Sequence, residues 1–239
     1  MSLVKYFFTF LFLGHFLLNA TAVFAQTDKE ILIVTFGNST TAPRKGVDTV
    51  YAARVHKLLS EAGIKNRVVN SGIGGSHTGS VKDNSTFAKI EHGRDRFQKA
   101  VLDHHPDWVT LNFGLNDAYQ DKGIGTASRI PLEKYIENLN YFISQIKEAN
   151  GKVIVLTPNP IGSKLEKFRY ERLMQYKKAT KNVAKANKVY FIDSWKLFYR
   201  HTRKDPKSID SLLPDGTHPN DEGHKLVADA IVKIIKRGR

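Results

Sequence analysis

Short apolar runs alternate with longer amphipathic segments from residue 31 to residue 236, and this alternation limits the choice of architecture. Residues 31–36 form an apolar run broken only by one threonine, which is typical of a strand buried on both faces. Residues 132–148 instead repeat Leu, Tyr, Ile and Phe at helical spacing. The predicted strands are 31–36, 67–70, 108–113, 153–157 and 189–192. The predicted helices are 48–62, a segment that ends near residue 104, 132–148, 166–186 and 221–236.

This alternation predicts an α/β protein, because parallel strands need crossover connections and these are usually helices. Five strands in a chain of 239 residues fit one flavodoxin-like domain. We therefore expect a three-layer α/β/α sandwich around a five-stranded parallel sheet in the order 2-1-3-4-5. In such sheets ligands bind outside the carboxyl ends of the strands, so functional residues are expected at that edge.

Residues 1–25 have the composition of a secretory signal peptide. One charge, Lys5, precedes the apolar run 6–18, and the segment closes on small residues up to Ala25. An uncleaved membrane anchor is the alternative, but the run is shorter than the roughly 20 residues that a span needs. We expect cleavage after Ala25, one domain at 26–239, a secreted or periplasmic location, and no stable membrane insertion after cleavage.

The chain has no cysteine and a strong excess of basic residues. The absence of cysteine excludes disulfides, Cys zinc sites, iron–sulfur clusters and a cysteine nucleophile. With 37 Lys and Arg against 23 Asp and Glu, the net charge is +14. Such a surface favours polyanions, or it only keeps the protein soluble. No motif of interleaved aromatic and basic residues supports binding of nucleic acid, so we expect no nucleic-acid partner.

Four unusual short motifs follow predicted strands or precede the last predicted helix. They read Gly-Asn-Ser-Thr-Thr (37–41), Asn-Ser-Gly-Ile-Gly-Gly (70–75), Gly-Leu-Asn-Asp (114–117) and Asp-Gly-Thr-His-Pro (215–219). Taken alone, each is compatible with a helix cap, a turn or a flexible loop. Because of their positions relative to the strands, we expect all four at one edge of the sheet.

Together the motifs contain the groups that a serine esterase needs. Ser39 offers a hydroxyl nucleophile, which is weak unless a base removes its proton. His218 is the natural base, and Asp215 can reach the imidazole and stabilise its charged form. Candidate donors to the oxyanion of the intermediate are the backbone N–H groups of Ser39 and Gly75 and the side-chain amide of Asn116.

The four motifs resemble those of the SGNH (GDSL-type) hydrolases, both in their order along the chain and in their positions relative to the strands. The resemblance covers essentially all of residues 26–239. The resemblance implies a catalytic triad of Ser39, His218 and Asp215. It also implies an oxyanion hole formed by Ser39 with Gly75 and Asn116. No cofactor and no metal are implied.

A narrower resemblance concerns the substrate. Residues 37–44 and 156–160 are similar to secreted esterases that remove acetyl groups from plant or algal polysaccharides. This similarity implies an acylated carbohydrate as the substrate, and the positive net charge would favour an anionic one. His77, which follows the glycine-rich loop, is a candidate substrate-binding residue. The sequence makes no prediction of the oligomeric state.

One position departs from the family pattern, because Asn38 replaces the Asp of the usual Gly-Asp-Ser. That Asp is a neighbour of the nucleophile in the family and not a triad member, so we expect the triad to survive. Two alternatives stay open: an acyl hydrolase of lysophospholipase or thioesterase type, and a glycan-binding SGNH protein with weakened catalysis. Asp117 is expected to brace the turn at Asn116, and His224 to lie on the surface.

Overall fold

A computed structural model of the chain describes residues 29–203 and 209–239, so the predicted signal peptide lies outside the described residues. The strands are β1 (Ile31–Gly37), β2 (Asn66–Gly72), β3 (Trp108–Asn112), β4 (Lys152–Leu156) and β5 (Tyr190–Ile192). The helices are α1 (Tyr51–Glu61), α2 (Gly93–Ala100), α3 (Leu132–Glu148), α4 (Lys167–Ala186), α5 (Ser194–Thr202) and α6 (Asp221–Arg237). Within these two described stretches, no helix has the length and apolarity needed to cross a membrane.

All neighbouring strands are parallel, and their order β2-β1-β3-β4-β5 confirms the predicted sheet. Every residue of β1 and β3 is buried, as the apolar run at 31–36 requires. Gly37, the last residue of β1, pairs with Gly72 on one side and with Asn112 on the other. The carboxyl ends of β1, β2 and β3 therefore lie side by side.

Apolar cores lie on both faces of the sheet, because successive side chains of a strand point in opposite directions. On one face the ring of Phe36 lies 5.0 Å from that of Phe113 and 5.5 Å from that of Phe142 in α3. On the other face Ile33 packs in a cluster with Val55 of α1 and with residues of α6. The predicted α/β/α sandwich is thus confirmed.

The predicted helix that ends near residue 104 is shorter than expected. Helix α2 begins at Gly93, directly after its N-cap residue His92, and ends at Ala100. A separate 3₁₀ helix covers Leu102–His104. The break occurs at Val101, whose φ of −132° lies outside the helical region.

Two helical segments, α5 and a 3₁₀ helix at Ile209–Leu212, are absent from the sequence prediction. Helix α5 follows β5 directly, and the carboxylate of Asp193 caps it by accepting a hydrogen bond from the N–H of Lys196 (3.0 Å). The helix buries Trp195 and Phe198. Asp193 at the N-cap is the sequence signal that could have indicated α5.

The expectation that His224 lies on the surface is wrong, because the face of α6 that carries it packs against α1. His224 is only 1% exposed. Its Nδ1 accepts a hydrogen bond from the N–H of Tyr51 (3.2 Å), and the two rings stack with centroids 6.1 Å apart. Burial lowers the pKa of His224 to about 4, so the side chain is neutral at neutral pH.

Candidate active site

The loop before α6 carries Asp215 and His218 to the carboxyl edge of the sheet. The segment after β4 anchors this loop, since the side-chain amide of Asn159 donates to the carbonyl of Thr217 (2.8 Å). At the end of the loop, Asn220 caps the first turn of α6. The loop is therefore fixed at its middle and at its end.

Ser39, His218 and Asp215 form a continuous chain of hydrogen bonds. The Nε2 atom of His218 lies 2.9 Å from Oγ of Ser39, although 179 residues separate the two in sequence. The Nδ1 atom of His218 lies 2.8 Å from Oδ2 of Asp215. A carboxylate at Nδ1 favours the tautomer with its proton there, which leaves Nε2 able to accept the proton of the serine. The arrangement can therefore relay a proton.

Asp215 is held as a carboxylate by its surroundings. Its Oδ1 accepts hydrogen bonds from the N–H groups of His218 (2.7 Å) and Thr217 (3.0 Å), and its Oδ2 accepts one from Nη2 of Arg44 (2.9 Å). Burial alone would raise the pKa of Asp215, but these bonds and the one from the imidazole outweigh it and hold the pKa well below its ordinary value. Arg44 was not predicted as a site residue.

The turn that presents Ser39 is organised by Asn38. Its Oδ1 accepts hydrogen bonds from the N–H (2.9 Å) and from Oγ1 (2.8 Å) of Thr40. Its carbonyl accepts two more from the N–H groups of Thr41 and Ala42, both at 3.0 Å. The two side-chain bonds use one amide oxygen, so the local turn does not require the charge of an aspartate.

The candidate oxyanion donors Gly75 and Asn116 are linked through Ser76, the residue that directly follows Gly75. Nδ2 of Asn116 donates to the carbonyl of Ser76 (3.0 Å), and Nη1 of Arg129 donates to Oδ1 of Asn116 (3.3 Å). Gly75 has a φ of +78°, in the region that favours glycine. A Cβ there would lie 3.2 Å from the ring of Phe87, so the local backbone gives an independent reason for glycine.

Asp117 does more than brace the turn at Asn116. It accepts hydrogen bonds from the N–H of Gly114 (3.0 Å) and from both the N–H (2.8 Å) and Oγ1 (2.5 Å) of Thr78. Complete burial raises the pKa of Asp117 to about 6, against the effect of these bonds. The loop after β3 is thereby tied to the loop after β2.

Arg96 is a second residue that sequence reasoning missed. Its Nη2 donates to the carbonyl of Gly37 (2.8 Å) and its Nη1 to that of Ser71 (2.6 Å), at the ends of β1 and β2. The guanidinium also stacks 4.3 Å from the ring centroid of Phe36. Arg96 therefore satisfies two carbonyls at the sheet edge, and one of them belongs to Gly37, two positions before Ser39 in the chain.

A pocket of about 270 Å³ opens beside Ser39, Asn116 and His218. Two arginines, Arg129 and Arg169, and the ring of Tyr119 form part of its wall. The remaining wall consists of Thr217 and of six apolar residues, Phe87, Leu115, Ala118, Ile161, Leu165 and Leu173.

His77, the candidate substrate-binding residue, does not line this pocket. It is fully buried, and its ring stacks on that of His92 with centroids 3.6 Å apart. The N-terminus of α2 covers it, since the N–H of Gly93 donates to its carbonyl (2.8 Å). Burial lowers the pKa of His77 to about 4, and the neighbouring His92 acts in the same direction.

Residues 35–226 match the model of the GDSL-like lipase/acylhydrolase family. The uncharacterized lipoprotein YqeF of Bacillus subtilis (strain 168) is 30% identical over 189 residues, which cover 69% of this chain and 71% of YqeF. An acetylxylan esterase of Geobacillus stearothermophilus is 26% identical over 198 residues, which cover 78% of this chain and 81% of that esterase.

The fold also has solved counterparts. The crystal structure of Axe2, an acetylxylan esterase from Geobacillus stearothermophilus, matches with a TM-score of 0.68 and 24% identity, over 85% of this chain and 93% of Axe2. The family match supports a carboxylic ester hydrolase, and it confirms the resemblance found in the four motifs. The chain belongs to the GDSL-like lipase/acylhydrolase family.

Proposed function

We propose that this chain is a secreted or periplasmic serine esterase that removes small acyl groups, acetyl above all, from carbohydrate. The observation that carries the proposal is the relay Ser39–His218–Asp215, with contacts of 2.9 Å and 2.8 Å beside an open pocket. A hydroxyl, an imidazole and a carboxylate in this order are what acyl transfer through a serine requires.

The reaction proceeds in two halves. Oγ of Ser39 attacks the ester carbonyl while Nε2 of His218 takes its proton, and Asp215 stabilises the imidazolium that forms. The intermediate collapses when His218 returns the proton to the leaving sugar hydroxyl, which leaves an acyl group on Ser39. Water then attacks this acyl-enzyme with His218 again as the base, and the carboxylic acid and free serine are released.

The negative oxygen of the intermediate needs donors that are already in position. The N–H groups of Ser39 and Gly75 and Nδ2 of Asn116 have this role in the proposal. In serine hydrolases, removing one such donor typically lowers kcat by about 10²–10³-fold.

The walls of the pocket support a sugar as the leaving group. Phe87 and Tyr119 offer aromatic surface next to polar groups, a combination suited to amphipathic ligands. The two arginines of the wall are each paired with an acid, Arg129 with Asp121 and Arg169 with Glu166. Their charge is compensated locally, so a neutral acetylated sugar is the first substrate to test, and an anionic one the second.

One observation favours the longer-chain acyl hydrolase as a second candidate. Six apolar residues line a pocket of about 270 Å³, which is more space than an acetyl group fills. If the acyl chain occupies this space, each buried methylene adds about 0.8 kcal/mol of binding.

Acyl chain length is expected to separate the two candidates. For p-nitrophenyl acetate, butyrate and octanoate, the proposed deacetylase should lose at least tenfold in kcat/KM beyond acetate, and it should release acetate from acetylated xylan. A rise in kcat/KM of about fourfold per added methylene would instead establish the longer-chain hydrolase.

Replacing Arg44 by methionine is expected to lower kcat/KM for p-nitrophenyl acetate by about tenfold, or about 1.4 kcal/mol in activation free energy. The guanidinium and the imidazole both contact Oδ2 of Asp215. Without the guanidinium, the carboxylate loses one of the donors that fix its position against Nδ1 of His218. The measurement is kcat/KM at neutral pH with the purified variant. Arg67→Met, an exposed change in β2, serves as the control and should keep full activity. An unchanged kcat/KM in Arg44→Met would contradict this role for Arg44.

A further inference from the structure

We propose that Arg129 is a positioning residue, which acts on the reaction through Asn116 by fixing the orientation of its side-chain amide. The inference rests on the proposed function, because it assigns a task to a residue around the same pocket. Arg129 has no place in the four motifs, since it lies in the loop between β3 and α3.

The amide of Asn116 is held at both of its ends. Its oxygen accepts from Nη1 of Arg129 (3.3 Å), and its nitrogen donates to the carbonyl of Ser76 (3.0 Å). A 180° flip of the amide would direct its NH₂ group at the guanidinium and its oxygen at a carbonyl, so both bonds would be lost. Only one of the two N–H bonds is used by Ser76, and the other is available to a ligand in the pocket that Asn116 lines with Ser39.

The guanidinium of Arg129 is itself rigidly placed. Asp121 accepts two of its bonds through Nε (2.9 Å to Oδ2) and Nη2 (2.6 Å to Oδ1). Its central carbon lies 4.4 Å from the ring centroid of Tyr119 and 4.9 Å from that of Phe87. The side chain is 7% exposed. An arginine fixed on these sides can define the position of the amide it contacts.

The contact also affects the strength of the donor. A charged donor at Oδ1 draws electron density from the amide and makes the Nδ2–H groups better hydrogen-bond donors. This gain is largest when the acceptor is an oxyanion, which exists only in the intermediate and the flanking transition states. Loss of Arg129 should therefore lower kcat more than it changes KM.

A double-mutant cycle tests whether Arg129 acts through Asn116. With p-nitrophenyl acetate, Arg129→Met should lower kcat about tenfold and Asn116→Ala about 10²–10³-fold. The double variant should be no slower than Asn116→Ala, because no amide remains to be positioned. A matched control is Arg169→Met, since Arg169 also stacks on Tyr119 and lines the pocket but makes its bonds to Glu166 and Gln120. Arg169→Met should change chiefly KM, and by the same factor in the unchanged protein and in Asn116→Ala.

The proposal would be overturned if Arg129→Met lowered kcat by the same factor in the unchanged protein and in Asn116→Ala. It would also be overturned if Arg129→Met raised KM and left kcat unchanged. Arg129→Lys keeps the charge but not the planar fork, and it should show the same coupling to Asn116 if the methionine variant does not fold. Circular dichroism identifies the folded variants. If Asn116→Ala itself leaves kcat unchanged, the oxyanion hole of the proposed function fails; if Asn116→Ala is slow but Arg129 is independent of it, only this inference fails.

Discussion

Replacing Ser39 by alanine is expected to lower kcat for p-nitrophenyl acetate by on the order of 10⁶-fold, or about 8 kcal/mol in activation free energy. The change removes the only group in the relay that can form the acyl-enzyme, and it leaves Nε2 of His218 without its 2.9 Å partner. Residual hydrolysis would then come from binding and from the oxyanion donors alone. The measurement is kcat with the purified variant.

The control for this variant is Ser144→Ala. Ser144 is a partly exposed serine of α3 whose Oγ donates only to the carbonyl of Tyr141 within its own helix (2.9 Å). The control should keep full activity, and a fluorophosphonate should label it as it labels the unchanged protein. Mass spectrometry should locate the label on Ser39 and find none in Ser39→Ala. A serine that neither reacts with the probe nor affects kcat would favour the glycan-binding alternative.

The topology could be read from the sequence because each strand and crossover helix carries its own periodic signal. Helix α3 has the predicted bounds, since its apolar stripe is long and regular. The parallel order then brings the ends of β1, β2 and β3 to one edge, and the motif before α6 is expected at the same edge, so the sequence alone predicts Ser39 close to the loop of His218. Short α5 carries too few turns for a periodic signal, and only its capping residue marks it.

The residues that support the relay could not be found in this way. Arg44 meets Asp215 across 171 positions of sequence and Arg96 meets Gly37 across 59, and neither pair belongs to a local pattern. An arginine in a sequence reads as surface charge, and only packing reveals which of its donors face a carbonyl or a carboxylate. The same limit explains why the sequence did not predict that His77 and His224 are buried. Whether a residue is buried depends on the element that packs over it.

These two buried histidines are expected to make the fold sensitive to acid. Each has a pKa near 4 in the folded chain, against about 6.5 when unfolded. The unfolded chain therefore binds more protons between these values, so the stabilisation is complete above about pH 6.5 and is lost as the pH falls toward 4. Each histidine accounts for about 2–3 kcal/mol between pH 7 and pH 4.5.

Asp117 opposes this loss but does not cancel it. Its folded pKa of about 6 lies above the unfolded value of 3.8, so it stabilises the fold as the pH falls through 6, by about 2 kcal/mol at pH 4.5. Burial also lowers the pKa of His92, which acts in the same direction as the other two histidines. The histidines outweigh one carboxyl, and the free energy of unfolding should decrease by at least about 3 kcal/mol from pH 7 to pH 4.5.

Urea unfolding of His224→Gln at both pH values tests the assignment. Glutamine does not titrate, and its amide oxygen can still accept the bond from the N–H of Tyr51, which His224 now accepts at 3.2 Å. The variant should be less stable at pH 7 because its packing is altered, but its loss between pH 7 and pH 4.5 should shrink by about 2–3 kcal/mol. His105→Gln replaces an exposed histidine and should retain the full loss. If His224→Gln loses as much stability as the unchanged chain, the acid sensitivity does not arise from the contact between α1 and α6.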